Sequence, residues 1–342
     1  MKVIIYDTTN AFLTPGGKTT HALKLQKELT QLGVHIEFSR WWDKSQEDCD
    51  IIHFLTPTPH IARLAKSKGK KTFLSMIFDF ESNKTKKEQK KTILKNYIIE
   101  KLPGTLSSNA YWKAFQYMDF VHFMHEQDRK TALSYFPKYL KKEQTIIIPH
   151  AYDPTDMDIS EDLDIAKMGF PNKYLISCAN ISERKQSVLL AKYAKKAKVP
   201  IVFIGSSNES DPYFKKFKAE IDKKYVFYPG YVSKEWKDCI EKNASGYVLL
   251  SKGESGCIAV YEAAAYKIPL LLSNLPWAWG YDTPTDIKFC DFQNEAKAIE
   301  QIHQFYEHAS HLNHSPFKIY TWNEVAQMYK DAYSQLLSCH NQ

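Results

Sequence analysis

At 342 residues the chain is longer than a single core usually grows, and 44% hydrophobic with 25% charged residues excludes a disordered polymer, so two globular domains are expected. No apolar run approaches the roughly 20 residues of a membrane-spanning helix, and six scattered cysteines without a CxxC pair read as reduced, mostly structural thiols of a cytosolic protein. The net charge of +7 is uneven: residues 63–101 hold 12 Lys and Arg against 4 Asp and Glu.

The first strand is KVIIYD, whose four-residue apolar run ends at Asp7 and is too short for the apolar region of a secretory signal. GGKTT, Gly16 to Thr20, leads into helical periodicity over Thr19–Leu32. A Gly-Gly turn at a helix start lets backbone N–H groups approach a phosphate or a sugar. Its ending also suggests a P-loop acting through Lys18, but the first glycine of that motif falls on Phe12. VHIEFS, IIHFL and TFLSMIF follow as strands, with His53 inside the second and Asp79 just after the third. The segment Glu81 to Gly104 mixes seven lysines with Ile, Leu and Tyr. Such a basic amphipathic stretch suits an anionic membrane surface; a solvated face is the plain alternative, and no nucleic-acid motif accompanies it. FVHFM and TIIIP complete this half, with His125 near a helix start and His150 after a strand. Each ring can donate to a sugar or phosphate oxygen, although a lone histidine is more often structural.

The pattern breaks after IIIPH. The acidic segment 151–173 has the Pro and Gly content of a linker, and its DxD triplets, Asp156/Asp158 and Asp162/Asp164, do not end an apolar strand as a metal–nucleotide site requires. In the second half YLISCA, PIVFIG, YVFYPG, GYVLLS and IPLLLS read as strands, with a helix over Gln186–Lys198. Buried strands alternating with helices imply parallel sheets and doubly wound α/β domains. Arg184 and Lys185 in SERKQS lie beyond a strand's carboxyl end, where two cations can neutralise a diphosphate; a solvated turn is the alternative. SKGESGCIAVYEAAAYKIPLLLS sets Glu254 before a helix expected to open at Gly256, and Glu262 within it. A helix start receives phosphate, and a carboxylate nearby receives a vicinal diol, so the pair suggests a sugar nucleotide. No His/Cys/Asp spacing resembles a metal site, and no nucleophile elbow appears. The tail from Ser315 forms a final helix with Trp322, Val325, Met328, Tyr329, Tyr333, Leu336 and Leu337 at core spacing.

Together these residues resemble the family-4 retaining glycosyltransferases (glycosyl transferases group 1). The strongest element is E-x7-E, here ESGCIAVYE, supported by ANISERKQ, IIIPHAYD and the opening PGGKTTHALKLQKELTQLGVHIEF. The resemblance implies a GT-B fold: two Rossmann-like doubly wound domains, 1–155 joined by the helix 318–342, and 156–317, with parallel sheets facing across a cleft. It implies sugar transfer from a nucleoside-diphosphate sugar, UDP or GDP, to a glycan or lipid-linked acceptor, as in lipopolysaccharide or other surface polysaccharide synthesis, with no metal or other cofactor. Carried over, Glu262 holds the ribose and Glu254 the transferred sugar. Lys185 holds the diphosphate, with Arg184 a spatial substitute for the family arginine that Asn180 replaces. The amides of Gly256, Cys257 and Ile258 and the Gly16–Gly17 loop face phosphate or sugar. A family histidine after the fourth strand is replaced near Phe78, leaving Asp79, His125 and His150 as possible acceptor or sugar contacts. The protein is expected at the cytoplasmic membrane face, held through Lys84–Lys101, without nucleic acid. A catalytically silent sugar-nucleotide-binding subunit and a P-loop-like nucleotide-binding protein are the alternatives.

Overall fold

The computed structural model describes residues 1–9, 17–76, 83–102, 110–153, 163–281 and 286–338. Among the expected features, Gly16, Asp79, Phe78 and the acidic residues Asp156, Asp158 and Asp162 lie outside these residues. Internal contacts divide the chain into unit 1, Met1–Ala151 with Tyr320–Gln342, and unit 2, Tyr152–Ile319.

Unit 1 runs β1 (Lys2–Tyr6), α1 (Gly17–Gln31), β2 (His35–Phe38), β3 (Ile51–Phe54), α2 (Pro59–Ser67), β4 (Lys71–Ser75), α3 (Lys86–Lys101), β5 (Phe120–Phe123), α4 (Glu126–Tyr135) and β6 (Thr145–Ile147). Unit 2 runs β7 (Leu175–Cys178), α5 (Ser187–Ala197), β8 (Ile201–Ile204), α6 (Pro212–Lys218), β9 (Val226–Gly230), α7 (Lys234–Asn243), β10 (Gly246–Leu249), α8 (Ile258–Ala265), β11 (Leu270–Ser273), β12 (Ile287–Cys290) and α9 (Glu295–His308). The chain then returns to unit 1 with α10 (Trp322–Ser338).

Each unit holds one six-stranded parallel sheet, ordered β2-β1-β3-β4-β5-β6 and β12-β11-β10-β7-β8-β9. The inner strands are largely buried because helices cover both faces, whereas the edge strands β2, β6, β9 and β12 are only partly buried. In unit 2, Tyr247 and Leu249 of β10 pack with α7 and α8, whereas Val248 points to the side of α5 and α9. In unit 1, Val3 and Ile5 face α1 and α10, and Phe54 and Leu74 face α2 and α4. Val325, Tyr329, Tyr333 and Leu336, three or four residues apart, bury one stripe of α10 in the first of these layers. Full burial of such a side chain contributes about 1.5–3 kcal/mol. A parallel bridge between Ala151 and Tyr320 fixes where the returning chain enters. This places the domain limits at 151/152 and 319/320, where the sequence suggested 155/156 and 317/318.

Two expectations need correction. β12 is a sixth strand that the sequence pattern misses, since IKFC keeps only its ends buried. α8 starts at Ile258 with Cys257 as N-cap, so Gly256 stands two residues before the helix rather than opening it. Among the described residues no helix is long and apolar enough to cross a membrane.

Candidate functional site

An open parallel sheet binds ligands where strand order reverses, outside the carboxyl ends of the two strands that flank the reversal. In unit 2 the chain proceeds from β7 to β8 and β9 on one side, then returns to β10 beside β7 and continues outward. The switch point therefore lies between the loops that follow β7 and β10. Those loops carry Arg184 and Lys185 on one side and Glu254 on the other.

The structure brings these three together. Glu254, 7% exposed, receives Arg184 Nη1 at 2.6 Å and Lys185 Nζ at 2.7 Å on the same Oε1. Burial pushes its carboxyl up, but Lys185 and Arg184 outweigh this and hold it below the usual carboxylate range. The carboxylate is thus ionised, and two cations on one anion leave the cluster with a single positive charge.

Backbone contacts stitch the two loops in register. Arg184 Nη1 donates to Gly253 O at 2.8 Å, and Lys252 N donates to Arg184 O at 2.9 Å. Beneath them Ser273 Oγ and Trp277 Nε1 both donate to Ser251 O, at 2.6 and 3.1 Å. Gln186, at φ 55°, turns the chain from this loop into α5 in a left-handed conformation that disfavours a side chain.

The remaining unit 2 candidates are placed as follows. Cys257 is buried at the N-cap of α8, its thiol pushed up to about 12 by burial, so its backbone rather than its sulfur is the available chemistry. Ile258 begins the helix, and no N-cap side chain bonds its first turn. Asn180 is exposed, and its Oδ1 accepts from Ser206 Oγ at 2.7 Å. This contact depends on Gly205, at φ 151°, where an added Cβ would meet Ala179 O at 2.1 Å. Glu262 sits on the second turn of α8, with Oε2 3.0 Å from Lys237 Nζ. Sequence reasoning missed Lys237, and also Ser251, Ser273 and Trp277, which hold the loops.

Unit 1 has its own switch point, between β1 and β3. Gly17 opens α1 there, and Lys18 Nζ lies 2.8–2.9 Å from the two oxygens of Asp7. Thr9 and Thr56 donate to the same carboxylate at 2.6 and 2.7 Å. Desolvation works against the charge, but Lys18, Thr9 and Thr56 hold the Asp7 carboxyl below its ordinary range. The lysine that suggested a P-loop is therefore committed to an aspartate.

His125 and His150 lie in the interior of unit 1. His125 is the buried N-cap of α4. His150 stacks on His21 with ring centroids 5.5 Å apart and meets the edge of Trp322; burial pushes it down to about 4. Among the described residues no group of three His, Cys, Asp or Glu could hold a metal ion.

Residues 161–314, which make up most of unit 2, match the family profile described as glycosyl transferases group 1. Solved structures agree in fold over nearly the whole chain. Sucrose-phosphate synthase from Thermosynechococcus elongatus is similar at 13% identity and a TM-score of 0.72, covering 99% of this chain and 100% of that one. The Anabaena protein HepE, in complex with UDP and glucose, is similar at 13% identity and a TM-score of 0.62, covering 98% and 99%. An E. coli trehalose-6-phosphate structure bound with UDP-2-fluoro glucose is similar at 11% identity and a TM-score of 0.61, covering 98% and 95%. The fold is GT-B. No curated protein matches this sequence.

Proposed function

We propose that the protein is a family-4 retaining glycosyltransferase that moves a sugar from a nucleoside diphosphate, UDP or GDP, to a glycan or lipid-linked acceptor. The observation that carries this reading is the convergence of Arg184, Lys185 and Glu254 at the unit 2 switch point. A diphosphate gains negative charge as it departs, so fixed cations stabilise the transition state more than the ground state. Lys185 and Arg184 supply them, aided by the first-turn amides of α8. Glu254 accepts from hydroxyls of the transferred sugar, and Glu262 accepts from the ribose diol.

In the reaction the acceptor oxygen bonds to the anomeric carbon while the bond from that carbon to the phosphate oxygen breaks. The acceptor proton passes to the leaving phosphate, and the sugar is oxocarbenium-like between. This scheme needs no protein nucleophile and no metal. Two of the similar structures hold UDP with glucose or a UDP-sugar analogue, which supports this donor class for the present chain.

Unit 1 is the proposed acceptor unit, at the cytoplasmic face of a membrane, in polysaccharide or lipopolysaccharide synthesis. α3 supports that placement: Leu94 is 60% exposed, Tyr97 and Ile98 share its face, and Lys87, Lys90, Lys91 and Lys95 lie along the helix. Vesicles with anionic lipid should retain the protein at low salt and release Leu94→Glu; equal retention of both, or of neither, refutes the contact.

The donor reading is tested by thermal shift. UDP or GDP at 100 times its Kd should add about 2.7 kcal/mol of stability, and ATP should not. Glu262→Ala should weaken that nucleotide by about 1.5–3 kcal/mol, the value of hydrogen bonds to a charged group. An unchanged response sinks the ribose assignment. Binding without release of free nucleotide from any sugar donor would mark a silent subunit instead.

A further inference from the structure

Glu241 is left without a task by the donor reading. It lies on α7 and is fully buried, yet only one of its oxygens is answered. Lys237 Nζ, one turn earlier, donates to Oε2 at 3.0 Å, and Oε1 has no hydrogen-bond partner among the described residues. The same ammonium lies 3.0 Å from Glu262 Oε2 on α8. Cys178 on β7, Tyr247 on β10, Tyr152 and Tyr266 also face this row; burial pushes all four up, so none adds charge. The neighbouring Asp238 is paired with Lys234 at 2.7 Å.

Stability does not call for this row. A buried carboxylate is costly to desolvate, and an apolar pair of similar volume is often at least as stable. What the row does supply is rigidity. A partly exposed lysine holds a carboxylate loosely, because both side chains keep their freedom. Anchoring the same ammonium on a buried carboxylate removes that freedom.

We propose that Glu241 and Lys237 are positioning residues: Glu241 pins the Lys237 ammonium, and Lys237 fixes the Glu262 carboxylate in the orientation that receives the ribose diol. The inference rests on the assignment of Glu262 to the ribose. It differs from that assignment in predicting a loss of diol recognition when Glu262 itself is intact.

The experiment compares the Kd of whichever of UDP and GDP binds with that of its 2′,3′-dideoxy analogue. In the unaltered protein the diol should improve affinity roughly tenfold to hundredfold. Lys237→Met should reduce this ratio about tenfold while leaving the affinity for the dideoxy analogue unchanged, and Lys237→Arg should restore most of it. If Lys237→Met fails to fold, because Glu241 is left buried and unpaired, the joint change of Lys237→Met with Glu241→Leu removes both charges and makes the same comparison. A pH series adds a readout that a structural role would not move. Burial pushes the Glu241 carboxyl above the usual carboxylate range against the pull of Lys237, so the ratio should rise with increasing pH as this carboxyl ionises and flatten in Glu241→Gln. A Lys237→Met protein that keeps the full ratio overturns the proposal. So does equal weakening of both ligands, which would make Lys237 a phosphate contact. A ratio near one in the unaltered protein, or a ratio that survives Glu262→Ala, overturns the ribose assignment and this inference with it.

Discussion

At the carboxyl ends of β7 and β10 two cations meet one carboxylate; at those of β1 and β3 one cation meets one carboxylate, with two threonine hydroxyls. Both clusters occupy the position that sheet topology reserves for a ligand, so their difference lies in charge. The unit 2 cluster keeps a net positive charge and suits an anion. The unit 1 cluster is neutral and rich in hydroxyls, which suits an uncharged polar ligand such as a glycan. The layers behind them differ as well. Beneath the unit 1 sheet His53, His122, Ser75, Tyr329 and Tyr333 form a hydrogen-bond network that His21 joins through Tyr329, with His150 stacked on His21. In unit 2 a lysine and two glutamates hold the corresponding polar ground.

Acid should separate the two units most strongly. Burial pushes His21 and His122 down to about 3, His150 to about 4 and His53 well below its ordinary value. Their contribution to stability is fully present above the unfolded value near 6.5 and is lost as pH falls toward the folded values, because the unfolded chain then binds more protons. Each can cost up to about 1.4 kcal/mol per pH unit in that window. Glu241 acts with the opposite sign: burial raises its carboxyl above the usual carboxylate range, so proton uptake favours folded unit 2 as pH falls toward the ordinary carboxylate value. Hydrogen exchange at pH 7 and pH 5 should therefore show α10 and the unit 1 strands losing protection while β7 and β10 keep theirs. Equal loss in both units would contradict the contrast.

At the switch points the larger effect belongs to Lys185. On the proposed donor reading, Lys185→Ala removes a largely buried cation from the departing diphosphate and should lower turnover about 10²–10³-fold. It also leaves Glu254 with Arg184 alone, so UDP binding should weaken too. Full turnover in this variant would remove unit 2's claim to the chemistry.

Much of this contrast was legible in the sequence. Continuous apolar strands announced both sheets, and the offset between Glu254 and Glu262 placed them on one loop–helix element. What escaped was contact between distant segments. Thr56 reaches Asp7 only because β3 lies beside β1, and Lys237 reaches Glu262 only because α7 and α8 share a face. The spacing of Lys237 and Glu241 marks a pair on one helix turn, but their connection to Glu262 needs the fold. β12 escaped for a different reason: an edge strand needs only half its residues buried, which weakens its periodicity.

The smallest expected effect tests the neutral cluster. In Asp7→Asn the Lys18 ammonium loses its ion pair but keeps Thr9 within 2.6 Å, and its partial exposure lets water take up the charge. The stability cost should be no more than about 1 kcal/mol, as for other partly solvated pairs. If the nucleotide is held by unit 2, its Kd should change by less than about twofold, since a change of that size corresponds to only a few tenths of a kcal/mol. Transfer to a glycan acceptor should fall further than nucleotide binding, because the asparagine amide keeps one oxygen that accepts from hydroxyls and turns the other acceptor into a donor. A gain in ATP affinity on freeing Lys18 would reverse the assignment, because it would show the Gly17–Lys18 helix start to be a phosphate site masked by Asp7.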